Sequence, residues 1–307
     1  MERKIPGNSG YNTAVNMMKE ITVLSGKGGT GKTTVTASLA VLAKNAVLTD
    51  CDVDAPDLHM LLKPEILETQ EFSASKVAII DEDTCVHCEK CEEHCRFDAI
   101  QKQVVDPILC EGCGVCVYIC PVAAVRIEKR TSGHAFISKT KYGLMSHALL
   151  NPGEENSGKL VTLVRQNAKK VAEKENCELI INDGPPGIGC PVIASLGGVT
   201  LGLVVVEPTL SGIHDMERAL GLLNHFKIPA VVCVNKYDIN EKNTARIVNF
   251  CESNGIEVVG KIPFDSIVTE AMIAGKPILE YSPKCAVSKA IIETWKQMLT
   301  KLTSLFN

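Results

Sequence analysis

"LSGKGGTGKTTV" occupies residues 24–35. Gly26 and the run Gly31-Lys32-Thr33 stand at G-x-x-x-x-G-K-[ST] spacing. An apolar run, "EITVLS" (20–25), precedes the stretch, and a helical pattern, "GKTTVTASLAVLAKN" (31–45), follows it. Strand, glycine-rich turn and helix in that order make a phosphate-binding loop. Gly26, Gly28, Gly29 and Gly31 let backbone N–H groups converge on phosphate oxygens, and the helix N-terminus adds its dipole. In such a loop Lys32 contacts the β- and γ-phosphates and Thr33 ligates Mg²⁺, with Thr30 and Thr34 completing the stretch. One lysine suffices for that task. Lys27, directly after the first glycine, needs its own explanation.

Outward from the loop, short apolar runs alternate with helical patterns. "AVLTD" (46–50), "ELIIND" (178–183), "TLGLVVVE" (200–207), "PAVVCVN" (229–235) and "IEVVGKI" (256–262) read as strands buried on both faces. Helices are expected at 157–176, 211–226, 241–254 and 285–305. This alternation predicts an α/β fold: a doubly wound, mostly parallel sheet with ligands at the carboxyl ends of its strands. Residues 64–140 break the rhythm and read as an inserted small α+β domain. It would divide the nucleotide domain into residues 19–63 and 141–307, behind a leader at 1–18.

The form K-G-G-T-G-K-T (27–33) resembles the deviant phosphate loop of the MinD/ParA family, which includes the Mrp-type carriers and the nitrogenase iron protein. The resemblance implies that Lys27 reaches across a dimer interface to the partner's nucleotide. Positive charge would arrive there as the transferring phosphate gathers negative charge. "VLTDCDVDAPDL" (47–58) resembles the family's first switch. It implies that Asp52 positions the attacking water and joins the Mg²⁺ shell; Asp50 would support Mg²⁺ through water or orient Lys32. "LIINDGPPGIG" (179–189) ends a strand at Asp183, expected on Mg²⁺, and Gly184-Pro185-Pro186-Gly187 resembles the second switch. Asn235 matches the adenine-binding position, and "IPFD" (262–265), with Pro263 and Asp265, the second base-side loop. The spacing Asn235-Lys-x-Asp238 also fits guanine recognition, whereas the deviant loop favours ATP.

Fourteen cysteines are unusual in a chain of this size, and eight lie between 85 and 120. Such clustering in one segment points to metal. Cys85, Cys88, Cys91 and Cys95 form one C-x₂-C-x₂-C-x₃-C run; Cys110, Cys113, Cys116 and Cys120, followed by Pro121, form another. This is the two-cluster ferredoxin pattern, in which the fourth cysteine of each run serves the other cluster. One 4Fe-4S cluster is therefore expected on Cys85, Cys88, Cys91 and Cys120, and the second on Cys110, Cys113, Cys116 and Cys95. Zinc is the alternative metal. Arg96 stands where the second run has its proline. Cys51, Cys177, Cys233, Cys251 and Cys285 read as core or surface thiols. Cys190, seven residues past Asp183, reads as a buried thiol; a ligand to a cluster bridging two protomers is the alternative, by resemblance to the nitrogenase iron protein.

Nearly the whole chain thus resembles MinD-type ATPases with an inserted ferredoxin domain, such as those of the orange-protein complexes of anaerobes. "NPGEENSGKLV" (151–161) and "VEPTLSGIHD" (206–215) look typical of that group. The resemblance implies an Mg²⁺-dependent ATPase, a homodimer or a heterodimer with a related ATPase, coupling ATP/ADP state to electron transfer through two 4Fe-4S clusters. A carrier or scaffold for metalloclusters, or a positioning ATPase, is the alternative. A redox or metallocluster-accepting protein would be its partner. The net charge of −4 and 4% aromatic residues give no case for nucleic acid. No apolar run spans a bilayer, and no secretory signal is read at the start, so a cytoplasmic protein is expected. The amphipathic last helix is expected to pack on the sheet rather than insert into a membrane.

Overall fold

The structure, a computed structural model, describes residues 18–306; the leader read at 1–18 lies outside them except for Met18. β1 (Lys19–Leu24), α1 (Lys32–Leu42) and β2 (Ala46–Asp50) lead to α2 (Leu58–Leu62) and β3 (Glu65–Phe72). The cysteine segment holds β4 (Ser75–Ile80), α3 (Lys90–Glu93), β5 (Ile100–Gln101), β6 (Val104–Val105), α4 (Val115–Ile119) and β7 (Val125–Arg130). The chain returns through β8 (Gly133–Thr140) and β9 (Gly143–Leu150) to α5 (Ser157–Lys174), β10 (Leu179–Asp183) and α6 (Cys190–Leu196). Then come β11 (Leu201–Val206), α7 (Leu210–His225), β12 (Ala230–Asn235), α8 (Glu241–Ser253) and β13 (Glu257–Ile262). Two short helices, α9 (Ile267–Ile273) and α10 (Ile278–Tyr281), precede α11 (Ala286–Ser304).

Nine strands form one sheet in the order β13-β12-β11-β1-β10-β2-β9-β8-β3. Pairing is parallel from β13 to β9 and antiparallel at β9–β8 and β8–β3. The doubly wound, mostly parallel sheet expected from the sequence is the fold found. Its strands are apolar because helices cover both faces. Leu203 and Val205 point into one core with Val35 and Leu39 of α1 and Ile291 and Met298 of α11. Val204 and Val206 point into the other, with Met216 and Leu223 of α7 and Ile247 of α8. Each such fully buried side chain contributes about 1.5–3 kcal/mol. The apolar face of α11, including Trp295 and Leu302, is buried in the first of these cores. No helix among the described residues is long and apolar enough to cross a membrane.

β1 also buries Glu20, which sequence alone would place in water. Arg165 of α5 donates to it through Nε at 2.8 Å and Asn182 through Nδ2 at 2.8 Å. Arg165 also donates to the carbonyls of Ala194 and Gly197, so the buried charges are paired and bonded.

The segment expected as an insert at 64–140 gives its first and last strands, β3 and β8, to the edge of the large sheet. β3 is almost wholly exposed along its length, so its sequence carries little apolar signal for a strand. The cysteine-bearing part lies between β4 and β7, which pair antiparallel from Ser75↔Arg130 to Ile80↔Val125.

Candidate functional site

The phosphate loop leaves the carboxyl end of β1, beside β10 and β11. Gly31 sits at φ +88°, and a Cβ there would stand 2.3 Å from the Asn235 side-chain nitrogen. That nitrogen donates to the Thr30 carbonyl at 2.8 Å, so the loop and the end of β12 approach too closely for a side chain. Gly26 is equally confined: a Cβ would come within 2.2 Å of Asp215 Cβ.

The loop opens on a cavity of about 290 Å³ lined by residues 28–34, Asp52, Pro186, Asn235, Pro263 and Asp265. Phe264, Val268 and Met272 supply an apolar end to the same cavity. Gly26, Lys27 and Asp183 lie outside its lining. The Thr30 hydroxyl is buried with no hydrogen-bond partner. An unpaired hydroxyl in a glycine-rich loop suits a phosphate oxygen, so the loop fits a nucleotide. A larger cavity of about 410 Å³, flanked by Lys63, Lys139, Lys141 and Lys276, lies away from the loop.

Behind the loop sits a buried charge cluster. Lys32 Nζ pairs with Asp183 Oδ1 at 2.8 Å. The Thr33 hydroxyl donates to Asp183 Oδ2 at 2.8 Å and the Thr36 hydroxyl to Oδ1 at 2.7 Å. Burial alone would lower the Lys32 pKa; Asp183, Asp50 and Asp52 outweigh it and hold the ammonium above the ordinary lysine range. Asp50 is fully buried, and burial with the Asp183 charge pushes it up to about 8. Its oxygens accept from the backbone N–H of Asp52 at 3.1 Å and of Leu58 at 3.1 Å. Asp50 thereby shapes the loop that presents Asp52, whose own carboxyl burial raises. The Thr33 hydroxyl with the Asp183 and Asp52 carboxylates is a hard-oxygen set that suits Mg²⁺.

Lys27 turns away from this cluster. Its ammonium pairs with Glu207 at 2.8 Å and bonds the Ser211 hydroxyl at 3.2 Å and the Thr209 hydroxyl at 3.4 Å. Lys236 reaches the same carboxylate at 3.3 Å. Burial would raise the Glu207 pKa, but the bonds from Lys27 and Lys236 outweigh it and hold it low. Glu207's part has no sequence signal: it lies in the quoted "VEPTLSG" with no spacing rule to mark it. Thr36 was likewise missed, although one turn past Thr33 a hydroxyl faces the same side of α1.

The eight clustered cysteines separate into two groups of four. Cys85, Cys88, Cys91 and Cys120 surround one cavity, floored by Ile80 and Val125. Cys95, Cys110, Cys113 and Cys116 surround another, floored by Ala78 and Ile127. Each group takes one cysteine from the other run. Backbone N–H groups point at the sulfurs: Ala124 donates to Cys120 at 3.2 Å and Ala78 to Cys110 at 3.4 Å. Burial would raise the Cys120 pKa, yet the N–H groups of Val122, Ala124, Val125 and Ala123 bring it below the ordinary thiol range. Four thiols with N–H···S support suit an iron-sulfur cube. No three His, Cys, Asp or Glu among the described residues are arranged for a single metal ion.

Cys51, Cys233 and Cys251 are buried thiols, pushed up to about 12, 12 and 11 by burial. Cys190, expected to be buried, is exposed. It opens α6, with its backbone against α5 at Gly158.

The CobQ/CobB/MinD/ParA nucleotide-binding domain matches residues 21–278, across the cysteine segment. The chain belongs to that family. An uncharacterized protein of Methanocaldococcus jannaschii is 35% identical, over 94% of this chain and 98% of its own. An iron-sulfur cluster carrier protein of Pyrococcus abyssi is 24% identical, over 93% of this chain and 87% of its own. The septum site-determining protein MinD of Pyrococcus horikoshii, solved with Mg-ADP, matches with a TM-score of 0.60 at 18% identity. That match covers 94% of this chain and 98% of MinD, and the likeness is one of fold. The family that Lys27–Thr33 resembles is the family found.

Proposed function

We propose that this protein binds and hydrolyses ATP with Mg²⁺ as a dimer, and that its nucleotide state governs two 4Fe-4S clusters in the cysteine segment. One observation carries the reading: the nine-stranded sheet that bears the phosphate loop also carries at its edge β3 and β8, between which the chain forms the β4–β7 ladder and the two four-thiol cavities. Lys32 takes the phosphates, Thr33, Asp183 and Asp52 take Mg²⁺, and Asp52 orients water. Asn235, Pro263 and Asp265 take the base. Asp238 accepts the Phe264 N–H at 2.8 Å and is thereby committed to the loop, which favours adenine over guanine. Lys27 acts on the partner's nucleotide, in a homodimer or a heterodimer with a related ATPase. The clusters, when bound, supply one-electron redox centres for an accepting protein. Reduced thiols suit a cytoplasmic setting.

The test is anaerobic. Fully loaded protein should carry about eight iron atoms per chain. Chemical reduction of the clusters should change rate between ATP and ADP. Identical rates would remove the coupling. Cys95→Ser and Cys120→Ser should each lose about half the iron, and the two variants should lose different electron-paramagnetic-resonance signals. Loss of the same signal in both would overturn the crossed ligand sets.

A second reading, delivery of a metallocluster, is favoured by the likeness to the Pyrococcus abyssi carrier. A carrier should pass iron to an apo-ferredoxin in an ATP-dependent manner, whereas a redox protein keeps its clusters.

A further inference from the structure

Glu154 is a glutamate in a polar loop, yet its side chain is only 4% exposed. It forms an ion pair with Arg130 and accepts from the Ser75 hydroxyl at 2.7 Å. Ser75 and Arg130 face each other across the end rung of the β4–β7 ladder. That ladder floors both thiol cavities. Three residues along β4 from the clamped rung, about 10 Å, Ala78 donates its N–H to Cys110 Sγ at 3.4 Å. Glu154 thus bonds both strands of the ladder to the nucleotide domain, and Asn151 beside it donates its side-chain N–H to the Thr131 carbonyl at 3.0 Å.

The other side of this joint leads to the nucleotide. Glu154 lies three residues before α5, and the N–H of Glu154 bonds the Asn151 carbonyl at 3.1 Å. Gly158, in the first turn of α5, packs on Cys190: a Cβ there would stand in van der Waals contact with the Cys190 carbonyl oxygen, at 3.4 Å. Cys190 begins α6 immediately after residues 184–189, the segment that follows Asp183. Within that segment, Gly187 bonds the Ser25 carbonyl at 3.1 Å, next to the phosphate loop. A shift of residues 184–189 on loss of a phosphate would reach the start of α6 and the α5 turn packed on it, and the Glu154 clamp would carry it to the floor of the cluster cavities.

We propose that Glu154, through Arg130 and Ser75, is the positioning residue that couples nucleotide state to the clusters. The inference rests on the coupling reading above. The pair is suited to the task because the Glu154 carboxylate is nearly buried, so losing its partner is costly. Glu154→Gln keeps the shape and removes the charge; Glu154→Gln with Arg130→Met removes the pair without stranding a charge.

Two readouts are taken on anaerobically purified protein with ATP analogue and with ADP: the rate of cluster reduction by dithionite, and hydrogen exchange of amides 75–80. Both variants should keep full iron content and the parental rate of ATP hydrolysis. The nucleotide-dependent difference in reduction rate should fall about 3- to 30-fold, the span for a residue carrying coupling. The nucleotide-dependent difference in exchange at 75–80 should vanish with it. A parental difference that persists in both variants overturns the inference alone. No difference in the unaltered protein overturns the coupling reading and this inference together.

Discussion

Lys27→Ala lowers the hydrolysis rate by about 10³-fold or more while ATP still binds. The size follows from the role: a cation delivered in trans stabilises charge that exists only in the transition state, so kcat falls and ground-state binding does not. The geometry supports the separation. Lys27 is absent from the lining of its own nucleotide cavity, and its ammonium rests on Glu207, Thr209 and Ser211. Removing it leaves Lys32, Thr33 and Asn235 untouched. The Glu207 pair has its lysine about one-third exposed, so releasing Lys27 on dimer closure costs only about 0–1 kcal/mol. Calorimetric titration with ATP, beside steady-state turnover, checks both halves. A variant that turns over at the parental rate would remove the trans role. One that no longer binds would make Lys27 part of its own loop.

What the sequence revealed and what it hid follow from the range of the interactions. Lys32, Thr33 and Asp183 were legible because a strand, a turn and a helix fix them locally. The two thiol groups were legible because spacings of two and three residues wrap a backbone around a small volume. Glu20 and Arg165 were not, since their pairing joins β1 to a helix 145 residues away and reverses the usual rule that charges face water. Cys190 was misjudged for a related reason. Its burial depends on how α6 lies against α5, and the backbone rather than the thiol takes the contact at Gly158. β3 was hidden because an exposed edge strand shows no apolar alternation. Glu154 sits in a stretch of turn residues where a buried carboxylate has no local signature.

Lys32→Met carries the second large effect, and it acts on folding as well as on ATP. The substitution removes the ammonium that pairs with Asp183, whose side chain is 1% exposed. Nucleotide binding should be lost. Stranding a buried charge costs about 3–5 kcal/mol, which for a domain of this size lowers Tm by roughly 6–15 °C. Adding Asp183→Asn should recover most of the stability and none of the binding, because the charge to be compensated is gone while the phosphate contact is still missing. The pH dependence gives a sharper check. In the parent, burial and the Asp183 charge push Asp50 up to about 8 from an ordinary 3.8. Between those values the folded chain holds a proton on Asp50 that the unfolded chain has released, so this group's contribution to stability falls as pH rises. Lys32 opposes the shift by attracting the Asp50 charge. Without it Asp50 and Asp183 face each other with no cation between them, and protonation relieves more repulsion. Denaturant unfolding should therefore show the parent's loss of stability with pH levelling off above about pH 8, while Lys32→Met goes on losing stability to higher pH. A variant that levels off at the same pH as the parent would mean that Lys32 does not neutralise this pair of carboxylates, and that the cost of its loss lies in packing.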